Sequence, residues 1–378
     1  MYSSNTAQVL TSFAEVVSEG RRSSEASRND ALKMLQEALE LFQRCLTVQE
    51  IQFTESQERM EMADEKPQTA ESDESDESEG FHNSSQATED EQWASVIEPV
   101  TKDTLVDTAV AQLETLTTAC SLLIFDAGSG LAWAEEYSNN LLLDKIATYV
   151  EGTDRHHEVD LARANFMCAL ADTNYRTERI DLTTYLKEIG SGFGTNFDLS
   201  QDPQGLCDRA DASTAFISAT FESISPLPEQ NQHEVALLNS ILWKQLTIAS
   251  TSLTSASKLP TAQNLAKINI ARGDVELLRF RLGEAPFYYV VATKHAATLL
   301  KNAETYFRGA AGLAKNEGSV DEEREATIKS AIASTMAGDE SKLLGLMGRE
   351  KKDILGVVED MVEDGIVSKG WSEKFEGG

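Results

Sequence analysis

Proline is scarce in this chain, at seven of 378 residues, and aromatic residues make up only 7% of it. The first shortage removes the commonest interruption of helices; the second means that a core must be built mainly from Ala, Leu, Ile and Val. No run of about eighteen apolar residues occurs, so no membrane-spanning helix is expected. The opening Met1-Tyr2-Ser3-Ser4-Asn5 lacks the charged-then-apolar order of a secretory signal. The cysteines Cys45, Cys120, Cys168 and Cys207 lie far apart with no Cys-x2-Cys pair, and they read as small buried hydrophobes in a reducing compartment, cytoplasm or nucleus. The β-branched residues are scattered rather than alternating with polar ones, and no hairpin signal is found, which argues against a sheet. Basic residues are also in deficit, 33 against 63 acidic ones, for a net charge of −30. Such a surface repels phosphate backbones and anionic lipids, so neither direct nucleic-acid binding nor membrane binding is expected. A cationic partner is its natural complement, while the plainer reading of the same charge is solubility.

Apolar residues instead recur at helical spacing over most of the chain. Residues 6–62 read as an N-terminal helix pair. The first helix has an apolar face of Val9, Leu10, Phe13, Val16 and Val17 and ends at Gly20. The second follows Asn29-Asp30, good N-cap chemistry, and carries Ala31, Leu32, Leu35, Ala38, Leu39, Phe42, Cys45 and Leu46. Residues 63–92 contain almost nothing apolar. Asp73, Glu74, Asp76, Glu77 and Glu79, then Glu89, Asp90 and Glu91, make them a block of one charge that cannot bury enough surface to offset the entropy of ordering. A disordered acidic loop is expected there. Ser72, Ser75, Ser78 and Thr88 each precede an acidic residue, the context of acidophilic kinases, and phosphate would add charge of the same sign. Residues 93–367 continue the helical pattern, with helices expected over 101–125, 131–151, 159–175, 180–189, 206–221, 234–256, 261–282, 292–313, 321–337 and 341–367. Turns are expected at Asp126-Ala127-Gly128-Ser129-Gly130 and at Gly190-Ser191-Gly192-Phe193-Gly194, and the Gly-rich 368–378 should fray.

One spacing recurs. Ala303, Phe307 and Ala310 lie at i, i+4 and i+7 on one helix face, a ring flanked by two positions where another helix can approach closely. The pattern returns as Ala212, Phe216, Ala219 and as Ala38, Phe42, Cys45; a looser copy, Ala249, Leu253, Ala256, is followed by Pro260. Small-x3-ring-x2-small followed by proline resembles the second helix of a tetratricopeptide repeat. The resemblance implies an all-α solenoid of antiparallel helix pairs whose concave face holds a peptide or domain. A helix pair split by an acidic insertion resembles the acidic-loop tetratricopeptide chaperones. That implies an escort for a basic client, a histone or ribosomal protein, held by the acidic residues named above. The alternative is a scaffold subunit or co-chaperone adaptor, in which Lys267, Arg272, Arg279 and Arg281 would clamp a carboxylate. A helical toroid enzyme is a third class.

Chemistry-bearing motifs are thin. His156 and His157 are adjacent, so on a helix they diverge by about 100° and do not converge on one ion. The glycine stretch at 190–194 follows a helix and lacks the continuation that cradles phosphate, so a turn is the better reading. No Gly-x-Ser-x-Gly elbow and no Cys with a matching His signature is present. The chain is read as a non-enzyme with no cofactor and no metal. Met60 and Met62 read as an exposed helix end, and Trp93 and Trp243 as core rather than client anchors.

Overall fold

The computed structural model describes residues 2–18, 24–64, 99–125, 128–194, 197–223 and 232–371. Thirteen α-helices and one π-helical segment carry these residues, and no strand occurs among them. The fold is all-α, as the composition and periodicity predict. The acidic stretch lies outside the described residues from position 65 onward, as does Trp93. The chain divides into two compact units, Met1–Leu116 with Glu135–Val159, and Thr117–Ala134 with Asp160–Gly378.

In the first unit α1 (Tyr2–Ser18) lies along α2 (Glu25–Asp64). The face that α1 buries differs from the expected one. Ala7 and Ala14 are fully buried and Leu10 is half-buried, while Val9, Phe13 and Val16 are 66%, 53% and 64% exposed. Small side chains let two backbones approach, so an alanine stripe nests on Ala38 and Phe42 of α2 and the bulkier neighbours are turned outward. The start of α2 also differs. Ser24 Oγ accepts from Ser27 N at 3.0 Å, placing Asn29 and Asp30 inside the helix rather than before it. Its buried stripe, Ala31, Leu35, Ala38, Leu39, Phe42, Cys45 and Leu46, follows the expected spacing.

Polar contacts tie further helices to this pair. From α3 (Lys102–Leu123), Thr108 donates to Gln49 Oε1 at 2.9 Å, and the Thr115 and Thr11 hydroxyls are 3.1 Å apart. The stretch expected as one helix over 131–151 is three pieces: α4 (Gly128–Asn139), a π-helical turn (Asn140–Lys145) and α5 (Ile146–Val150). Tyr137 on α4 reaches Gln112 Oε1 at 2.6 Å and Leu39 O at 3.0 Å. Beyond the wide turn, Lys145 and Tyr149, four residues apart on one face, both engage Glu50 of α2, Lys145 at 3.1 Å to each oxygen.

The second unit holds most of α6 (His156–Arg176), then α7 (Leu182–Gly192), α8 (Pro203–Ser223), α9 (Gln232–Ala256), α10 (Leu265–Arg281), α11 (Val290–Glu317), α12 (Val320–Met336) and α13 (Ser341–Glu363). From α7 onward each helix packs on its successor through α13, and α10 also touches α12. The glycine stretches expected as turns are partly helical: Gly128 and Gly130 open α4, and Gly190 and Gly192 close α7. A Cβ on Gly130 would fall 2.6 Å from Leu123 Cδ2, so the missing side chain lets α4 begin against the end of α3.

The recurrent small-ring-small positions lie at helix contacts. Ala303, Phe307 and Ala310 are fully buried; so are Phe216, Ala219, Ala249, Leu253 and Ala256, whereas Ala212 is half-buried and Pro260 exposed. Phe307 lies directly on Gly273 of α10, where a Cβ would stand 2.4 Å from ring carbon Cε1. The buried charges are paired: Lys329 Nζ of α12 is 2.8 Å from Asp274 Oδ2 of α10 and 2.8 Å from Glu325. Burial pushes the Asp274 carboxyl up to about 6 against the pull of Lys329. Burial opposes the Lys329 charge as well, but Asp274 and Glu325 outweigh it and hold that ammonium above its usual range.

Truncating Phe307 to Ala should cost about 3–5 kcal/mol in denaturant unfolding. Gly273→Ala should cost about 1–3 kcal/mol by forcing α10 and α11 apart, and should be partly relieved in the double variant with a smaller residue at 307. Lys329→Met leaves Asp274 buried and unpaired, a loss of about 3–5 kcal/mol near neutral pH. Asp274 is then pushed higher still and takes up its proton at higher pH than in the parent, so the loss should shrink as pH falls from alkaline values toward about 6, below which the carboxyl is protonated in both proteins.

Candidate functional site

A groove of about 490 Å³ opens in the second unit between α8, the end of α9 and the start of α10. Its α8 wall follows from local sequence. Pro203 supplies the first helical residue, where the missing N–H is no loss. Gly205 lets the preceding turn fold back on the helix, since a Cβ there would meet Asp202 Oδ2 at 2.4 Å and Leu199 Cδ2 at 2.6 Å. Gln204, Cys207, Asp208 and Asp211 then fall on one face by i, i+3, i+4 and i+7 spacing. The opposite wall is Lys267, Ile268 and Ala271 of α10, with Leu253 as apolar floor and Thr261, Gln263 and Asn264 closing one end. Asn264 holds the left-handed conformation, φ 52°, immediately before α10 begins.

The electrostatics of this wall are uneven. Asp208 is held by Asn165 Nδ2 of α6 at 2.6 Å and by Gln204 Nε2 at 2.7 Å. Burial raises its pKa, and those two donors act the other way. Asp211, one turn on, has a carboxylate with no hydrogen bond or ion pair to any described residue, although it lines the groove. The residue is exposed at the groove's edge, while desolvation by the nearby walls and then repulsion from Asp208 push its pKa up to about 7. Cys207, the one cysteine of the four that is not buried, is pushed up to about 11 by burial and then by Asp211, Asp208 and Asp202, so its thiol is kept protonated and unreactive. The facing Lys267 turns to Glu322, 3.5 Å away. Asp211 is thus the one carboxylate among the described residues lining the groove, with Asp208 as a like charge nearby, and an ammonium or guanidinium entering the hollow would offset that repulsion.

A second hollow of about 640 Å³ is lined by Asp160, Arg163 and Met167 of α6 and by Gly190, Ser191, Gly192 and Gly194. Of its glycines, Gly192 serves packing. A Cβ on Gly192 would meet Cys168 Sγ at 3.3 Å and Ala164 O at 3.4 Å, and Phe193 is buried with its ring 6.4 Å from that of Phe197.

Of the residues singled out in the sequence, Asp73, Glu74, Asp76, Glu77, Glu79, Glu89, Asp90 and Glu91 lie outside the described residues. Lys267, Arg272, Arg279 and Arg281 all lie on α10 but do not converge on a free carboxylate clamp. Arg272 sits 4.1 Å over the Tyr306 ring and donates to its hydroxyl at 3.1 Å. Arg279 donates to Glu276 at 3.0 Å and lies over half-buried Trp243, and Arg281 donates to Glu284 at 3.1 Å and to Ala285 O at 2.7 Å. Met60 and Met62 are exposed. His156 and His157 open α6, and no group of three His, Cys, Asp or Glu side chains able to hold a metal occurs among the described residues. The sequence reading passed over Asp208 and Asp211. Acidic residues are too common here to stand out, and the signal available was their position beside the small-ring-small face of the same helix.

Compared with protein-family models, with curated proteins and with solved structures, the chain matches none of them.

Proposed function

We propose that this chain is a non-catalytic escort for a basic protein client, a histone or ribosomal protein, working in the cytoplasm or nucleus, and that its helices form a solenoid of antiparallel pairs. The observation that carries the reading is Asp211, an exposed groove-lining carboxylate with no hydrogen bond or ion pair to a described residue and with the like charge of Asp208 nearby. A lysine or arginine of the client, entering between α8 and α10, would replace water around Asp211 with a charge-assisted hydrogen bond. The acidic run from Asp73 to Glu91 supplies a second, longer-range component, speeding encounter with a cationic surface and repelling nucleic acid that competes for it. The net charge of −30 suits both components. The adaptor alternative is the weaker one, because Arg272, Arg279 and Arg281 are engaged within the chain.

Binding of a Lys/Arg-rich histone-tail or ribosomal-protein peptide, followed by calorimetry, should weaken about tenfold in Asp211→Asn. It should also strengthen from about pH 6 to about pH 8 in the parent and stay nearly flat in the variant, because the carboxyl must lose its proton to pair with a cation. The sign for stability is opposite. A carboxyl whose folded pKa is raised favours the folded state at low pH, and that contribution is lost as pH rises toward 7, so Asp211→Asn should be the more stable protein at alkaline pH. Deleting residues 63–92 should slow association and flatten its dependence on ionic strength, with little change in the groove. Capture that is indifferent to salt would sink the electrostatic reading.

A further inference from the structure

The outward face of α1 carries a row of exposed apolar side chains that nothing described so far explains. Val9, Phe13 and Val16 are each more than half exposed and stand at four- and three-residue intervals, the spacing of a coiled-coil seam rather than of a scattered surface. On another face of the same helix Ala7 is packed on Ala38 and Phe42 of α2 and Ala14 is buried, so that face is already taken within the chain. Such a stripe fits another apolar helix. The charge of its setting narrows the choice. Glu15 is the one charged residue among the seventeen of α1, in a chain carrying −30 overall. A basic partner would gain little there, because one carboxylate faces it. A lipid surface would meet no Lys or Arg on the polar side of the helix, which interfacial helices use. A second copy of this chain repels the first through any acidic face, and α1 presents an uncharged one.

We infer that α1 is a self-association surface, and that two copies pair through it in antiparallel fashion. The stripe is symmetric about the level of Ser12 and Phe13, so a two-fold axis there lays Val9 over the second copy's Val16 twice and brings the two Phe13 rings together at the centre. In that register Glu15 stands level with the second copy's Leu10. A parallel pair would instead set Glu15 against Glu15. Other exposed apolar residues lack this helical spacing: Val48 and Ile51 of α2 flank Glu50, Tyr288, Val290 and Val291 cluster at the start of α11 rather than along a helix face, and Leu237 and Leu344 stand singly on their helices.

Sedimentation velocity on the full chain over a dilution series tests this. A dimer that dissociates on dilution and tightens as salt is raised is expected, since salt screens the mutual repulsion of two acidic bodies. Phe13→Glu should weaken it by at least about tenfold, while circular dichroism and the melting midpoint at low concentration stay as in the parent, because Phe13 is exposed in the single chain. Mixing copies carrying V9C with copies carrying V16C should give a disulfide-linked pair on oxidation, well above either variant alone. A mass that is monomeric at every concentration overturns the inference, as does a dimer unmoved by Phe13→Glu. Efficient cross-linking of V9C with itself overturns the antiparallel arrangement.

Discussion

The second unit depends on how closely α10 and α11 can approach, and that is set by one ring lying on one bare backbone position. Phe307 occupies the space where Gly273 would carry a Cβ. With ring and glycine in register, Ala303 and Ala310 on either side are drawn into contact as well, and all three side chains are fully buried. The same device at a looser setting, Leu253 between Ala249 and Ala256, serves α9. The small residues matter as much as the rings: each removes the bulk that would hold neighbouring helices apart, and close approach multiplies the dispersion contacts along the whole seam.

Charge is divided in a consistent way. Several cations that the chain places at low exposure are matched within it: Arg176 with Asp172 at 2.8 Å and with Glu222, Arg279 with Glu276, Lys329 with Asp274 and Glu325. A buried cation left alone would lose its hydration with nothing in return, so each is surrounded by carboxylates. With so few basic residues, that internal demand leaves the acidic excess for the surface and for the groove beside α8. Asp211 expresses the imbalance at the scale of one residue, a carboxylate with no partner among the described residues and with the like charge of Asp208 acting on it.

Much of the helical layout was legible beforehand because apolar periodicity and helix propensity act locally, within a turn or two. The ends were read less well. Asn29 and Asp30 look like a cap, yet Ser24 makes the capping bond; Gly190 and Gly192 look like breakers, yet their helix continues through them, and at Gly192 the missing side chain leaves room for Cys168 and Ala164 of α6. On α1 the larger apolar residues drew the eye, and the alanines won the buried face. Hydrophobicity alone ranks Val and Phe above Ala, whereas a close helix crossing ranks by size. The groove was illegible for another reason. Its two walls, near Asp211 and Lys267, are separated by more than fifty residues of chain, and no periodicity links them.

By itself the sequence determined that the described chain is helical, that it carries a large acidic excess, and that rings framed by small residues would recur along it, since each of these is a property of composition or of spacing within one helix. Tertiary structure alone decided which face of each helix is covered, which carboxylates lose their partners and where a hollow remains. Those outcomes depend on the distance between backbones that are remote in sequence, and steric fit between specific side chains sets that distance.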